Sequence, residues 1–368
     1  MTEPNPGTPA EKVRSYPCPG CGAQLVFEPR GGSLSCPYCG RAEPIPQSAG
    51  EVREQSYEDY LRVRPERMAE PVEGGLDVKC ADCGATVTFP GSQTAGDCPF
   101  CGTSLVTAPK SAEPWVAPEG VLPFGNTKQQ ATGAIRQWLA TRWLAPNALK
   151  RVARQEKLQG VYLPFWTFDA HTVSHYDGAR GEHYWEMETH TDGRGRRGTR
   201  RVMRTRWYPA SGTVERWFDD VAVPATESLP RARLTALEPW DFAATKPYDP
   251  AFLSGFKAQR YQLDTAAGFE EAKGIMGETI LLDARRDIGG DEQRVNEVKT
   301  SYSAITYKYL LLPVWISAYR FRDKVYQVMV NARTGEVQGD RPYSPWKVAA
   351  VILLALLAAG AFAILSQR

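Results

Sequence analysis

Apolar and polar positions alternate along this chain in three different registers, and each register predicts a different kind of element. The simplest comes last. From Val348 to Leu365 no residue carries a charge, an amide or a hydroxyl. At ~1.5 Å of rise per residue that run makes a helix of ~27 Å, close to the ~30 Å of a bilayer's hydrocarbon core. The pattern predicts a single C-terminal transmembrane helix over 346–366, with Tyr343 and Trp346 at its near interface and Arg341 and Lys347 flanking it. A tail anchor of this kind leaves everything before it on one side, and the flanking cations place that side in the cytoplasm.

The second register is helical. Ala131, Ala134, Ile135, Trp138 and Leu139 recur at the spacing of one helix face, with Asn126 or Thr127 as cap and Pro146 as the interruption. Residues 250–286 are again helical in composition, with Asp264 as cap and Phe269, Ala272 and Met276 on one face. The third register has the period of strands. It predicts Val161–Tyr176, His183–Thr189, Arg200–Tyr208 and Val214–Phe218, then Val295–Ser303, Ile305–Phe321, Val325–Asn331 and Glu336–Gln338. Gly335 supplies the residue a bulged hairpin requires between the last two. Leu163-Pro164-Phe165-Trp166 recurs as Leu312-Pro313-Val314-Trp315, each opening a long strand after a helical region. The repeat suggests two related halves, chance agreement over four residues being the alternative. A proline inside a strand points to an edge or a bulge.

The eight cysteines change the picture at the front of the chain. They form four CxxCG units: Cys18 and Cys21, Cys36 and Cys39, Cys80 and Cys83, Cys98 and Cys101. Cys18 and Cys80 open two copies of one arrangement, and CGAQLVF after the first pair matches CGATVTF after the third. Two thiolates two residues apart fit one tight turn, and the glycine that follows permits the positive φ the turn needs. A hairpin from Ala23 to Phe27 through Arg30-Gly31-Gly32 then brings two turns together as a Cys₄ site. Two structural Zn²⁺ ions are the expected cofactors. Four protein thiolates leave no open coordination position, so the ions knit the fold rather than catalyse. Filled sites move the formal charge from +2 to about −2.

Charge and the remaining chemistry are less decisive. Lys and Arg number 44 against 42 Asp and Glu, so no global charge argument for nucleic acid holds. The ribbon strands (Gln24 to Glu28, Thr86 to Phe89) lack interleaved basic and aromatic residues, which favours protein over nucleic acid as their partner. A basic run does occur elsewhere, with Arg194, Arg196, Arg197, Arg200, Arg201, Arg204 and Arg206 following Asp192. Anionic lipid, an acidic protein or nucleic acid fits it, as does a solvated hairpin tip. The four histidines, His171, His175, His183 and His190, cluster in sequence. With a turn near Asp177-Gly178, one of two registers puts His183 opposite His175, and ordinary strand histidines are the alternative. Phe218-Asp219-Asp220 pairs two carboxylates, but neighbours on a strand face opposite ways. There is no GxxxxGK[ST], HExxH or GxSxG, and no catalytic residue is legible.

The expected class is α+β. A disordered lead (1–14) precedes zinc ribbon one (15–45), a charged linker helix (46–75), ribbon two (76–107) and a Pro-rich linker (108–122). An α+β body of two helix-plus-antiparallel-sheet modules (123–342) and the transmembrane helix complete the chain. The phrases GVYLPFWTFDAHT, RTRW with FDD, and LLPVWISAYRFRDKVYQVMVNARTGEVQGDRPYSPWKV, together with the ribbons, resemble a bacterial membrane-protein family with TFIIB-type zinc ribbons. Members are often labelled primosomal protein N′, a replication-restart helicase, and some resemble partners of phage-shock-protein-A and SPFH membrane-stress systems. The terminal run and the ribbon pair together predict a tail-anchored bacterial inner-membrane adaptor, body towards the cytoplasm, whose ribbons recruit protein partners, with a role in membrane-stress response as the resemblance implies. It supplies no catalytic residue, and the helicase label implies a motor that this chain lacks. The rival expectation is a membrane-tethered nucleic-acid binder using the ribbons and the arginine run.

Overall fold

A computed structural model describes residues 16–45, 52–62, 75–80, 83–90, 95–101, 104–106, 110–111, 118–142, 158–191, 193, 197–321, 324–340 and 344–366. In the front end, β1 (Val26–Glu28), β2 (Ser33–Ser35) and β3 (Ala42–Glu43) form an antiparallel sheet of three strands. Next come β4 (Gln55–Ser56) and α1 (Tyr57–Arg62). The second ribbon holds β5 (Gly75–Lys79), β6 (Thr86–Pro90), β7 (Ala95–Asp97) and β8 (Ser104–Val106), followed by β9 (Lys110–Ser111). The body opens with β10 (Gly120–Val121), α2 (Lys128–Ala140), β11 (Gln159–Thr191) and β12 (Arg197–Pro224). It continues through α3 (Arg231–Thr235), β13 (Lys246–Pro247), β14 (Lys257–Gln259) and α4 (Thr265–Ile288). It ends with β15 (Glu292–Phe321), β16 (Lys324–Asn331), β17 (Val337–Gly339) and α5 (Pro345–Ser366).

The protein is mostly β, 45% strand against 27% helix, and twelve strands join one mixed sheet. This corrects the expected α+β body of two packed modules. The segments taken for separate short strands are parts of two very long ones, β11 and β12, which pair with each other from Phe165 and Pro224 to Thr191 and Arg197. Gly178 and Gly181 are not turn residues. A Cβ at Gly178 would collide with the Arg294 backbone oxygen, and one at Gly181 would sit 2.8 Å from Thr205 Cγ2. The strand passes straight through because nothing but glycine fits between its neighbours.

Pro164 and Pro313 occupy the two central strands, not an edge. On the side away from β15, β11 pairs with β14 at Val161 and Tyr162 and with β12 from Phe165 onward. On the side away from β11, β15 pairs with β10 at Leu310 and Leu311 and with β16 from Val314 onward. Each proline therefore falls where one neighbour gives way to the next, so its missing N–H breaks no ladder. Their carbonyls accept from Ala225 N at 2.9 Å and Ala332 N at 3.1 Å.

The two repeated phrases face each other, with Leu163 opposite Leu312 across the antiparallel β11–β15 pair. Trp166 Nε1 donates to Leu263 O at 2.8 Å and Trp315 Nε1 to Asn126 O at 3.0 Å. Each acceptor immediately precedes the N-cap of a helix, Asp264 for α4 and Thr127 for α2. Each half supplies a short strand, a helix and two longer strands, and each short strand lies parallel against the other half's long strand. The halves are interlocked rather than packed side by side.

Local chemistry explains the two helices. Thr127 and Gln130 form a reciprocal capping box, and α2 buries Ala131, Ile135 and Leu139. Asp264 accepts from Ala267 N at 2.7 Å, and Gly289 (φ 64°) ends α4. Phe269, Met276, Ile280 and Ile288 are buried along one side of α4, each contributing roughly 1.5–3 kcal/mol. Arg216 binds Asp283 in two-pronged fashion (2.6 and 2.9 Å), and Tyr176 donates to Asp287 at 2.5 Å. These contacts hold α4 along one face of the long strands.

The C-terminal run is a helix, α5, but the expected membrane span is overturned. Among the described residues no helix is long and apolar enough to cross a membrane. The side chains described for α5 cover 345–360 and 362, a stretch shorter than the ~20 residues a crossing takes. Integral membrane association therefore drops out of the partner assignment.

Candidate metal centres

The eight cysteines assemble into two tetrads, Cys18, Cys21, Cys36 and Cys39, and Cys80, Cys83, Cys98 and Cys101, with all four sulfurs of each within 4.8 Å of one another. The local backbone explains why. Gly22, Gly40 and Gly84 take φ of 74°, 73° and 74°. Their N–H groups donate back to Cys18, Cys36 and Cys80 carbonyls at 2.8, 3.0 and 2.9 Å. The N–H groups of those three cysteines in turn donate to Ala23, Arg41 and Ala85 carbonyls at 2.7, 2.8 and 2.8 Å. Three of the four CxxCG units thus build the same knuckle; Gly102 of the fourth lies outside the described residues.

Sulfur separations test the fit to a metal. Cys18 to Cys39 is 3.5 Å, Cys21 to Cys36 3.4 Å, Cys80 to Cys101 3.5 Å and Cys83 to Cys98 3.7 Å. A tetrahedron with ~2.3 Å metal–sulfur bonds has edges of about 3.8 Å, whereas a disulfide requires ~2.0 Å. The tetrads are geometrically suited to hold two metal ions. The thiols also compete for ionisation. N–H groups of Cys39 and Tyr38 hold the Cys36 thiol down at about 6. At Cys21 the Ala23 N–H pulls the other way, but neighbouring sulfurs push the thiol up to about 12. Desolvation pushes Cys83 up to about 11. Four thiolates at this spacing need a cation among them.

The two tetrads differ in their surroundings. In ribbon one, Phe27 packs edge-on against Phe252 at 5.4 Å between centroids, Phe27 N donates to Ser254 O at 2.9 Å, and Ser254 Oγ donates to Leu25 O at 2.6 Å. In ribbon two β5 and β6 are part of the large sheet, β6 pairing with β14 and β5 with β6 and β9, while β7 and β8 pair with each other. The second cysteine pair of each ribbon encloses an aromatic residue at the same place. Phe100 is 0% exposed, its carbonyl accepting from Gln327 Nε2, while Tyr38 is 83% exposed.

The other expected sites fare differently. The histidines do not converge. His171 lies opposite Trp217 and Ser303, His175 opposite Thr213 and Lys299, His183 opposite Thr205, and His190 opposite Gly198. His183 does not meet His175, because β11 makes no turn at Asp177-Gly178. Their contacts are those of ordinary strand residues, such as His175 Nδ1 to Thr213 Oγ1 at 2.7 Å and His183 Nε2 to Glu292 Oε1 at 2.8 Å. Arg194 and Arg196 lie outside the described residues. Arg197, Arg200, Arg201, Arg204 and Arg206 lie along the first part of strand β12. Arg200 and Arg204 pair with Glu188 (2.8 and 3.6 Å), and Arg204 with Glu186 (2.5 Å).

One group escaped the sequence reading. Asp169, Asp219 and Asp220 place carboxylate oxygens within 4.8 Å of one another. Strand alternation argued against this, but Asp220 has φ 50° and the ladder shifts between Phe168 and Ala170, so the alternation breaks there. Lys308 enters the cluster, 2.7 Å from Asp220 and 3.3 Å from Glu54. Burial works against the Lys308 charge, yet Asp220, Asp169 and Glu54 outweigh it and raise its pKa. The lysine already supplies the cation. A cleft of about 500 Å³ between ribbon one and the body is lined by Phe27, Glu28, Lys128, Phe256, Lys257 and Trp315 among others.

The fold and these centres define a class: a protein with two tetracysteine knuckle pairs, one beside and one within a large mixed β-sheet. No family model matches the chain. Over 340 residues, 92% of this chain and 93% of the relative, it is 27% identical to YdjG, an uncharacterized protein of Bacillus subtilis.

Proposed function

We propose that this chain is a non-enzymatic zinc-ribbon adaptor in a reducing compartment, recruiting a protein partner through the tip of ribbon one. All-thiolate tetrahedral donor sets favour zinc, which would serve as a closed structural ion. Eight cysteines kept as thiols fit a compartment where disulfides are rare.

The observation that carries the reading is the contrast between Tyr38 and Phe100. The same knuckle position is spent on the body in ribbon two and left in solvent in ribbon one. An exposed tyrosine on a metal-fixed turn loses little entropy on binding, the property that makes tyrosine a frequent interface anchor.

A photo-crosslinking amino acid at position 38, in cells, tests this. Cross-links to one protein, reproduced with purified components and lost when the tetrad is broken by Cys36→Ser, are the expected result. The rival reading is nucleic-acid binding through the ribbons and the arginine run. A gel shift whose affinity falls steeply with salt and survives Tyr38→Ala would replace the adaptor reading with that one.

A further inference from the structure

Beyond Gly181 and Glu292 the strand β15 no longer accompanies β11. From there Glu182–Thr191 and Arg197–Arg206 pair with each other, forming a two-stranded arm about 30 Å long. An isolated ribbon of two strands is marginally stable in water unless something packs on it. Its two faces are unlike. Paired residues share a face, so Tyr184 with Arg204, Glu186 with Val202 and Glu188 with Arg200 make one side. That side is self-satisfied: Arg200 and Arg204 hold Glu186 and Glu188, and Arg206 lies over Tyr184 at 4.8 Å.

The other side joins Trp185 to Met203 and Met187 to Arg201. Trp185, Met187 and Met203 are 55%, 65% and 51% exposed. Arg201 lies over the Trp185 ring at 4.6 Å, and Arg197 follows at the tip. Among the described residues of the arm no acid lies on this side, because Glu182, Glu186 and Glu188 all point the other way; at its base Glu292 is held by His183 and Thr205. The result is an apolar strip of tryptophan and methionines beside uncompensated positive charge.

We propose that this face is a docking surface for a protein segment that presents apolar side chains beside Asp or Glu. Tryptophan, methionine and arginine are the residues enriched where proteins bind one another, and arginine stacked on tryptophan leaves its donors free for a carboxylate. Among the described residues two arginines on this side, Arg197 and Arg201, suit such a segment but are few for a polyanion. Sequence-independent DNA binding rests on about 6–10 phosphate contacts, and lipid headgroups return only ~1 kcal/mol per basic residue. The surface uses none of the residues of ribbon one, so this proposal and the adaptor reading can fail separately.

Fluorescence anisotropy on the purified full-length chain tests it with defined probes. One is an amphipathic peptide with leucines on one side and glutamates on the other; its twin has lysines for glutamates. The glutamate peptide is expected to bind, and Arg201→Glu to weaken it about tenfold or more while gaining the lysine peptide. Trp185→Ser with Met203→Ser should abolish both, and Arg204→Gln on the opposite side should change neither. Equal binding of the two peptides, or equal loss with Arg204→Gln, would overturn the proposal. So would the absence of peptide binding where phosphatidylglycerol vesicles or duplex DNA bind and are released by Arg201→Glu.

Discussion

Ribbon one and ribbon two share their cysteine spacing, their knuckle glycines and their sulfur geometry, yet they stand differently in the molecule. Ribbon two lends β5 and β6 to the large sheet, and Phe100 is buried against β16. Ribbon one keeps a separate small sheet and rests on the body through Phe27 and Ser254, with Tyr38 in solvent. The chain carries two copies of one tetracysteine arrangement suited to a metal ion. The structure uses one as masonry and leaves the other free.

The sharpest way to break that comparison is to remove a ligand from each. Binding of a structural zinc is worth roughly 10 kcal/mol or more, comparable with the ~5–15 kcal/mol that holds a whole domain. Cys98→Ser should therefore lower the main calorimetric transition by tens of degrees or broaden it beyond recognition. Cys36→Ser should release one metal and leave that transition within a few degrees. Equal damage from the two would erase the distinction.

A smaller effect comes from the matched aromatics. Phe100→Ala empties a buried site and should cost about 3–5 kcal/mol. Tyr38→Ala removes a side chain with little to lose and should stay within ~0.5 kcal/mol in urea denaturation. Smaller again is Ser254→Ala, which deletes the Ser254 Oγ bond to Leu25 O and the long one from Gln24 Nε2 but keeps Phe27 N on Ser254 O, at about 1 kcal/mol. Its signature is faster amide exchange in 25–28 with the sheet unchanged.

The last effect belongs to the body alone and is read as a slope in pH. Burial pushes the Glu119 carboxyl up to about 7, although Tyr309 N donates to it at 2.6 Å. The folded chain thus holds a proton that the unfolded chain, near 4.5, releases. Stability from this group is complete below about 4.5 and is lost as pH rises towards 7. Glu119→Gln keeps an acceptor for Tyr309 N and should flatten that slope, while metal retention by either ribbon stays as it was.

How much of this was legible before the structure depends on the element. CxxCG written four times announces two tetrads, and the Thr127 and Asp264 caps announce α2 and α4, because those signals are local. The course of β11 was hidden because Asp177-Gly178 read as a turn when Gly178 marks close approach of a neighbouring strand. Pro164 and Pro313 read as edge residues because a proline's missing N–H says nothing of where one partner strand ends and the next begins. Asp220 read as turned away from its neighbour because a single positive φ is invisible in an alternation pattern. Tyr38 and Phe100 stood in plain view as equivalents, but which of them is covered depends on contacts hundreds of residues away in sequence.

Native mass spectrometry of the intact chain, purified without added metal or chelator, tests the central claim most directly. Two zinc ions per chain with all eight cysteines reduced is the predicted mass. A metal-free chain carrying four disulfides would contradict it.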